Sequence, residues 1–211
     1  MIGRRRFSIY ASEALASVYQ QQRPVYNDKW VDAVLHGLGD TRQLKAVDVG
    51  AGSLQAALAL SRRVDGVIAV DQNFSMLESQ QQALPANVEV RTGVAESLPM
   101  EPSETCDLVI AAQCFHWFEK PLFYAELDRV LKPGGRFVAT VYGPAMHFDD
   151  ERASVVTRAL WERTKGAQAW SDEFSSHCKS RTKGPTCSLC ISLGSNDIFC
   201  IFCCHHCLLR T

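Results

Sequence analysis

The sequence predicts an α/β fold built as a doubly wound, mostly parallel sheet. Three observations predict it. Apolar runs of strand length alternate with segments of helical periodicity between residues 30 and 142, the pattern of parallel strands joined by right-handed crossovers. Val47-Asp48-Val49 runs into the turn Gly50-Ala51-Gly52 and then into a helix-forming stretch. The next apolar run, Val67-Ile68-Ala69-Val70, ends in Asp71, about twenty residues past the turn, the separation at which a carboxylate meets a ribose diol in such sheets.

Each element follows from its local pattern. Ala11, Leu15, Val18 and Tyr19 recur at helical spacing. Trp30, Val31, Val34, Leu35 and Leu38 do so again, and Gly37 and Gly39 stop that second helix. Residues 44–49 form the first strand and 56–63 the helix after the glycine turn. Residues 66–70 are continuously apolar, as expected of a strand covered on both faces. A helix over 74–84 is ended by Pro85, and strands follow at 88–91 and 107–112. Residues 121–131 read as an amphipathic helix with Phe123, Leu127, Val130 and Leu131 inward. Pro133-Gly134-Gly135 makes a turn before a fifth strand at 136–142. A last helix spans 151–164, with Val155, Val156, Ala159 and Leu160 on its apolar side.

Composition narrows the function. A chain of 211 residues suits one domain with an appendage. Its net charge of −1 gives no electrostatic case for a nucleic-acid partner. No run approaches the roughly 18 apolar residues of a membrane span, and the basic start Met1-Ile2-Gly3-Arg4-Arg5-Arg6 is followed by no apolar signal core. The expected setting is the reducing cytoplasm. Of nine cysteines, only Cys106 and Cys114 precede Cys178. That shift sets a Cys-rich tail (175–211), expected to be poorly ordered, apart from residues 1–174, in which an N-terminal helical cover (1–40) precedes the cofactor-binding domain (41–174).

Gly50 and Gly52 lie where the first strand leaves the sheet, the place where open α/β sheets bind ligands. A dinucleotide fingerprint would want a third glycine at 55, which is Gln55. Asp71 offers two acceptor oxygens to a ribose diol, or serves with Asn73 as a helix cap. The loop Gly93-Val94-Ala95-Glu96-Ser97-Leu98-Pro99 can present a backbone amide and a carboxylate to an adenine edge, and is otherwise an ordinary surface loop.

Tyr19-Gln20-Gln21-Gln22-Arg23-Pro24-Val25-Tyr26, the turn at 48–52, Asp71, Ala95-Glu96-Ser97-Leu98-Pro99, Gln113-Cys114-Phe115-His116-Trp117-Phe118 and Leu131-Lys132-Pro133-Gly134-Gly135 follow one another in order. In that combination residues 15–145 resemble class I S-adenosylmethionine-dependent methyltransferases. The small-molecule branch that includes trans-aconitate methyltransferase-like proteins is the nearer likeness. The resemblance implies a Rossmann-like methyltransferase fold with S-adenosylmethionine as cofactor. It implies that Gly50, Ala51 and Gly52 approach the methionine part, with Asp48 supporting the turn. Asp71 would hold the ribose hydroxyls with Gln72 beside the adenine, Ala95 and Glu96 would face the adenine edge, and Gln113 would lie near the sulfonium. Tyr19, Arg23, Pro24 and Tyr26 would belong to a cover over the cofactor, and His116 and Trp117 would line the substrate side.

The implied reaction is direct displacement, in which alignment is the protein's main task. A small carboxylate acceptor needs no general base, whereas an alcohol or amine would use His116, a ring that otherwise simply packs beside Trp117. Arg23 either clamps a carboxylate of cofactor or substrate, or is a surface residue before Pro24. The Asn/Asp-Pro-Pro-Tyr/Phe loop of many nucleic-acid and protein amide methyltransferases does not follow the fourth strand.

Two departures stand out. Leu54 occupies a position where the family pattern has glycine, adding bulk near the ligand and, if the backbone needs a positive φ, strain. After residue 175 the family's last two strands have no match, so the sheet is expected to lack them. In their place Cys187, Cys190, Cys200 and Cys203 have the spacing of a zinc site, but an alternative terminus replacing the usual strands is the preferred reading. A catalytically impaired methyltransferase-like binding protein and a nicotinamide-dependent oxidoreductase are the competing functions.

Overall fold

The computed structural model of the chain describes residues 26–73, 84–142, 155, 187–192 and 199–205. The helices expected over 11–19, 74–84 and 151–164 fall outside these residues, apart from Leu84 and the exposed Val155.

Seven strands form one sheet in the order β3-β2-β1-β4-β5-β7-β6. Strands β1 (Lys45–Val49), β2 (Gly66–Asp71), β3 (Val88–Thr92), β4 (Cys106–Ala112) and β5 (Leu131–Tyr142) pair in parallel. The order reverses between β1 and β4, so their carboxyl ends open the crevice in which doubly wound sheets bind ligands.

Both faces of the sheet are covered. On one lie α1 (Asp28–Leu35) and α2 (Gln55–Ser61), in a core with Ala46, Leu108, Ile110 and Val138. On the other lies α3 (Lys120–Val130), whose Phe123, Tyr124, Leu127 and Val130 meet Val47, Val49, Val109 and Phe137. Alternation along each strand feeds both cores, which is why β1 and β2 read as unbroken apolar runs. Asn27 caps α1 by accepting the Trp30 amide at 3.0 Å. At the other end buried Arg136, reaching across from β5, donates to the Val34 and His36 carbonyls that the helix leaves unpaired.

The turn at Pro133-Gly134-Gly135 lies inside β5. Leu131 already pairs with Cys106, residues 132–135 loop out with Gly134 at φ 79°, and regular pairing resumes at Arg136.

The expectation that the last two strands are missing is corrected here. Within the tail, β6 (Cys187–Ser192) and β7 (Phe199–His205) complete the sheet, and β7 runs antiparallel along β5 from Arg136↔His205 to Tyr142↔Phe199. The run Phe199-Cys200-Ile201-Phe202-Cys203, which reads in isolation as an aggregation-prone segment, is rich in the β-branched and aromatic residues that suit a strand. It covers the edge that β5 would otherwise leave open. The paired Cys-X-X-Cys spacings also fall within strands, Cys187 and Cys190 in β6 and Cys200 and Cys203 in β7. The backbone is extended at both, rather than turned as a zinc-gripping knuckle requires.

Candidate cofactor site at the carboxyl edge

The turn after β1 is built on left-handed backbone. Gly50 (φ 69°), Gly52 (φ 52°) and Leu54 (φ 65°) all lie in the region that glycine favours. The Gly50 and Ala51 amides both donate to the Val70 carbonyl, at 2.8 and 3.0 Å, which lays the turn across the end of β2. Gly50 is required for a second reason. A Cβ there would stand 2.7 Å from the Cys114 sulfur, and that thiol donates to the Val49 carbonyl at 3.0 Å. The loop after β4 is thus packed onto the glycine turn.

Two carboxylates organise this turn from opposite sides. Asp48 is 0% exposed and accepts the Ala57 amide at 3.0 Å, pinning the first turn of α2. Burial pushes its pKa up to about 7, against the pull of the Ala57 N–H, and Asp71 adds to the rise. Its Oδ1 has no partner among the described residues. Half-buried Asp71 accepts the Gly52 amide through Oδ2 and the Asn73 amide through Oδ1, both at 2.8 Å. It therefore ties β2 to the glycine turn and shapes its own turn. Each oxygen retains a second acceptor position, the number a ribose diol needs. Gln72 beside it is exposed.

Leu54 separates the two concerns its presence raises. It is left-handed at φ 65°, ψ 15°, a conformation costing a non-glycine residue about 1–2 kcal/mol. Its side chain, however, is 0% exposed and packs in the α1–α2 core, not into the crevice. Burial of a leucine contributes about 1.5–3 kcal/mol, enough to hold the strained backbone. The strain is real and the expected steric obstruction is absent.

The loop after β3 is braced by α3. Glu126 accepts the Leu98 amide, while Arg129 donates to the carbonyls of Leu98 (2.9 Å) and Glu101 (2.7 Å) and pairs with Glu126 at 2.7 Å. Arg129 holds the Glu126 carboxyl below its ordinary range. Ala95 is buried, and Glu96 accepts the Glu119 amide at 2.7 Å, joining this loop to the start of α3. The sequence shows the Glu126–Arg129 spacing but not its target, because the target lies on another element.

After β4, Gln113 adopts φ 64° and donates its amide to the Thr140 carbonyl at 2.8 Å. Its buried Nε2 and the hydroxyl of Thr140, which is 0% exposed, have no partners among the described residues. Each such group costs about 1–3 kcal/mol if left unpaired. Thr140 carries no motif and sequence reasoning passed over it. His116 is exposed with its ring 4.8 Å from that of Trp117, itself 61% exposed. Desolvation of the imidazole, with Lys120 adding to it, lowers its pKa, so it is neutral at physiological pH. Phe115 anchors this short turn by packing among Phe118, Phe123, Tyr124 and Phe137.

Tyr19, Arg23 and Pro24 lie outside the described residues. Tyr26 is buried with its ring 4.2 Å from Trp30, making it part of the α1 core. Among the described residues no group of three His, Cys, Asp or Glu side chains is arranged to hold a metal ion. The left-handed turn, the spare acceptor positions of Asp71 and the unpartnered groups at the ends of β1, β4 and β5 fit an adenosyl amino acid.

Residues 47–139 match a family model described as a methyltransferase domain. A provisionally named methyltransferase of Dictyostelium discoideum is 32% identical over 160 residues, 76% of this chain and 59% of that protein. A solved structure from Anaeromyxobacter dehalogenans, provisionally described as a type II methyltransferase, is 36% identical with a TM-score of 0.52, covering 66% of this chain and 57% of that one. The fold alone is shared with a provisional S-adenosyl-L-methionine-dependent methyltransferase of Methanococcus maripaludis, 19% identical with a TM-score of 0.56 over 82% of this chain and 83% of the other. The chain spans 46% to 59% of the length of the first relatives it matches. These likenesses favour the methyltransferase expectation over the nicotinamide one. Together with the sheet order already described, they show that residues 47–139 are similar to a methyltransferase domain, on a fold shared with S-adenosylmethionine-dependent methyltransferases.

Proposed function

We propose that this protein transfers a methyl group from S-adenosylmethionine to a small acceptor carrying a carboxylate, in the manner of trans-aconitate methyltransferase-like proteins. The observation that carries the cofactor reading is Asp71, which grips the glycine turn through Gly52 and its own turn through Asn73 while keeping acceptor capacity on both oxygens. Gly50, Ala51 and Gly52 would lie against the methionine part, Ala95 and Glu96 near the adenine edge, and Gln113 near the sulfur. When bound, the cofactor supplies a methyl carbon on cationic sulfur; an acceptor lone pair forms the new O–C bond as the C–S pair returns to sulfur, and a carboxylate has no proton to lose. What the chain supplies is alignment and exclusion of water. His116, exposed against Trp117, is poorly placed as a buried base, which favours an acceptor that needs none.

Leu54 favours a second reading, a domain that binds adenosyl ligands without turnover. Calorimetry with S-adenosylmethionine, S-adenosylhomocysteine and NAD is the first test, followed by turnover on small mono- and tricarboxylic acids against amines. Binding of NAD alone would discard the proposal. Binding of adenosyl ligands with no turnover on any acid would support the second reading.

A further inference from the structure

Beyond the residues that the family pattern assigns, Thr140 stands at the carboxyl end of β5 with a hydroxyl that is buried and unpartnered among the described residues. Its direction follows from strand alternation. Phe137 and Ala139 belong to the α3 core and Val138 to the α1–α2 core, so Thr140 faces the α1–α2 side, one step nearer the crevice than Val138. Its Cα partner on β4 is Ala112, and its carbonyl accepts the amide of Gln113. Gln113 is left-handed, a conformation a glutamine seldom adopts, and its carboxamide nitrogen is also buried without a partner. Two adjacent donors left open at a ligand-binding edge, one on strained backbone, form a pattern that ordinary packing does not produce.

We propose that the Thr140 hydroxyl and the Gln113 carboxamide form a neutral donor pair that holds a ligand carboxylate at the ends of β4 and β5. Both groups can donate to oxygen, and neither carries charge. A neutral pair orients a carboxylate without drawing off the charge that makes its free oxygen nucleophilic, as a guanidinium would. Asp48, on the same face but two strands away and two residues back, lies roughly 12 Å off by strand spacing and rise and does not share that oxygen. The carboxylate belongs either to the methionine part of the cofactor or to the acceptor. The inference rests on the methyltransferase reading and names the ligand group that this part of its site recognises.

The test uses the full chain, its Thr140→Val and Thr140→Ser variants, and three probes. These are S-adenosylhomocysteine, methylthioadenosine (which lacks the amino-acid part) and tricarballylate added to protein saturated with S-adenosylhomocysteine. Loss of the hydroxyl in Thr140→Val is expected to weaken one carboxylate probe roughly 5- to 30-fold, with Thr140→Ser near wild type. Weakened S-adenosylhomocysteine with unchanged methylthioadenosine identifies the cofactor carboxylate; weakened tricarballylate alone identifies the acceptor. Unchanged affinities for every probe, with the valine variant merely more stable, would overturn the pair. If the wild type binds no S-adenosylhomocysteine, the methyltransferase reading fails instead. The pair is then judged by the Gln113 side-chain amide resonance on adding tricarballylate to wild-type protein; if instead Thr140→Val does not fold, the same resonance is read on adding S-adenosylhomocysteine and then tricarballylate. A shift supports the pair, and no shift overturns it.

Discussion

The two edges of the sheet bury polar groups in opposite ways. At the amino edge Glu101, only 2% exposed, meets Lys45 Nζ at 2.6 Å and accepts from Thr105 (3.2 Å) and the Cys106 thiol (3.4 Å). Asp107 nearby takes Lys132 at 2.8 Å and the Lys45 amide at 2.9 Å. At the carboxyl edge Asp48, Gln113 and Thr140 each keep one buried atom without a partner among the described residues. Burial of charge is therefore no mark of a site by itself. Cys106 shows this: burial, with Glu101 adding to it, pushes its pKa up to about 12, so the thiol is inert. The unpaired edge is the one available to a ligand.

The largest test of this contrast concerns Asp48. Folding raises its pKa from an ordinary 3.8 to about 7. The protonated acid is the form the fold prefers, so its contribution to stability is fully present below pH ~4 and is lost as pH rises through about 7, by about 4 kcal/mol at most. Asp48→Asn removes that titration. Denaturant midpoints of the two proteins between pH 4 and 8 should diverge in favour of the variant as pH rises. Parallel profiles would mean that the carboxylate is better solvated than its burial suggests.

At the paired edge, Glu101→Ala should cost about 2 kcal/mol, less than the 3–5 typical of breaking a fully buried pair, because Lys45 is partly exposed and reaches water. S-adenosylhomocysteine affinity should not move, since the edge lies at the opposite end of the strands. A joint loss of stability and affinity would erase the distinction between the edges.

Much of the carboxyl edge was legible because its signals are local. The glycine turn, Asp71 and the apolar periods of β1 and β2 each speak within a few residues, and α2 lies within a residue or two of its expected bounds. Two kinds of information were not legible. Pairing of β7 with β5 joins residues about sixty apart in sequence, and the Cys-rich composition pointed to a replaced, poorly ordered terminus, although Ile201 and Phe202 suit a strand. The satisfaction of a polar group is likewise a property of what surrounds it. Thr140 in β5 looks like any strand threonine, and Arg136 like a charge at a strand start, until the fold leaves one unpaired and sets the other against α1.

The smallest expected effect on stability is that of Leu54→Gly, and it bears on whether the site is intact. Glycine relieves the left-handed strain, about 1–2 kcal/mol, but forfeits the burial of a leucine, about 1.5–3 kcal/mol. The variant should therefore be less stable by about 1 kcal/mol or more, the cavity adding to the loss. Because the side chain packs into the α1–α2 core and not into the crevice, affinity for S-adenosylhomocysteine should change by less than about threefold, an energy near RT. A tenfold gain would mean instead that backbone strain at the start of α2 displaces the Gly52 amide and weakens the site. Leu54 would then be a functional departure from the family pattern rather than a core residue in an unusual conformation.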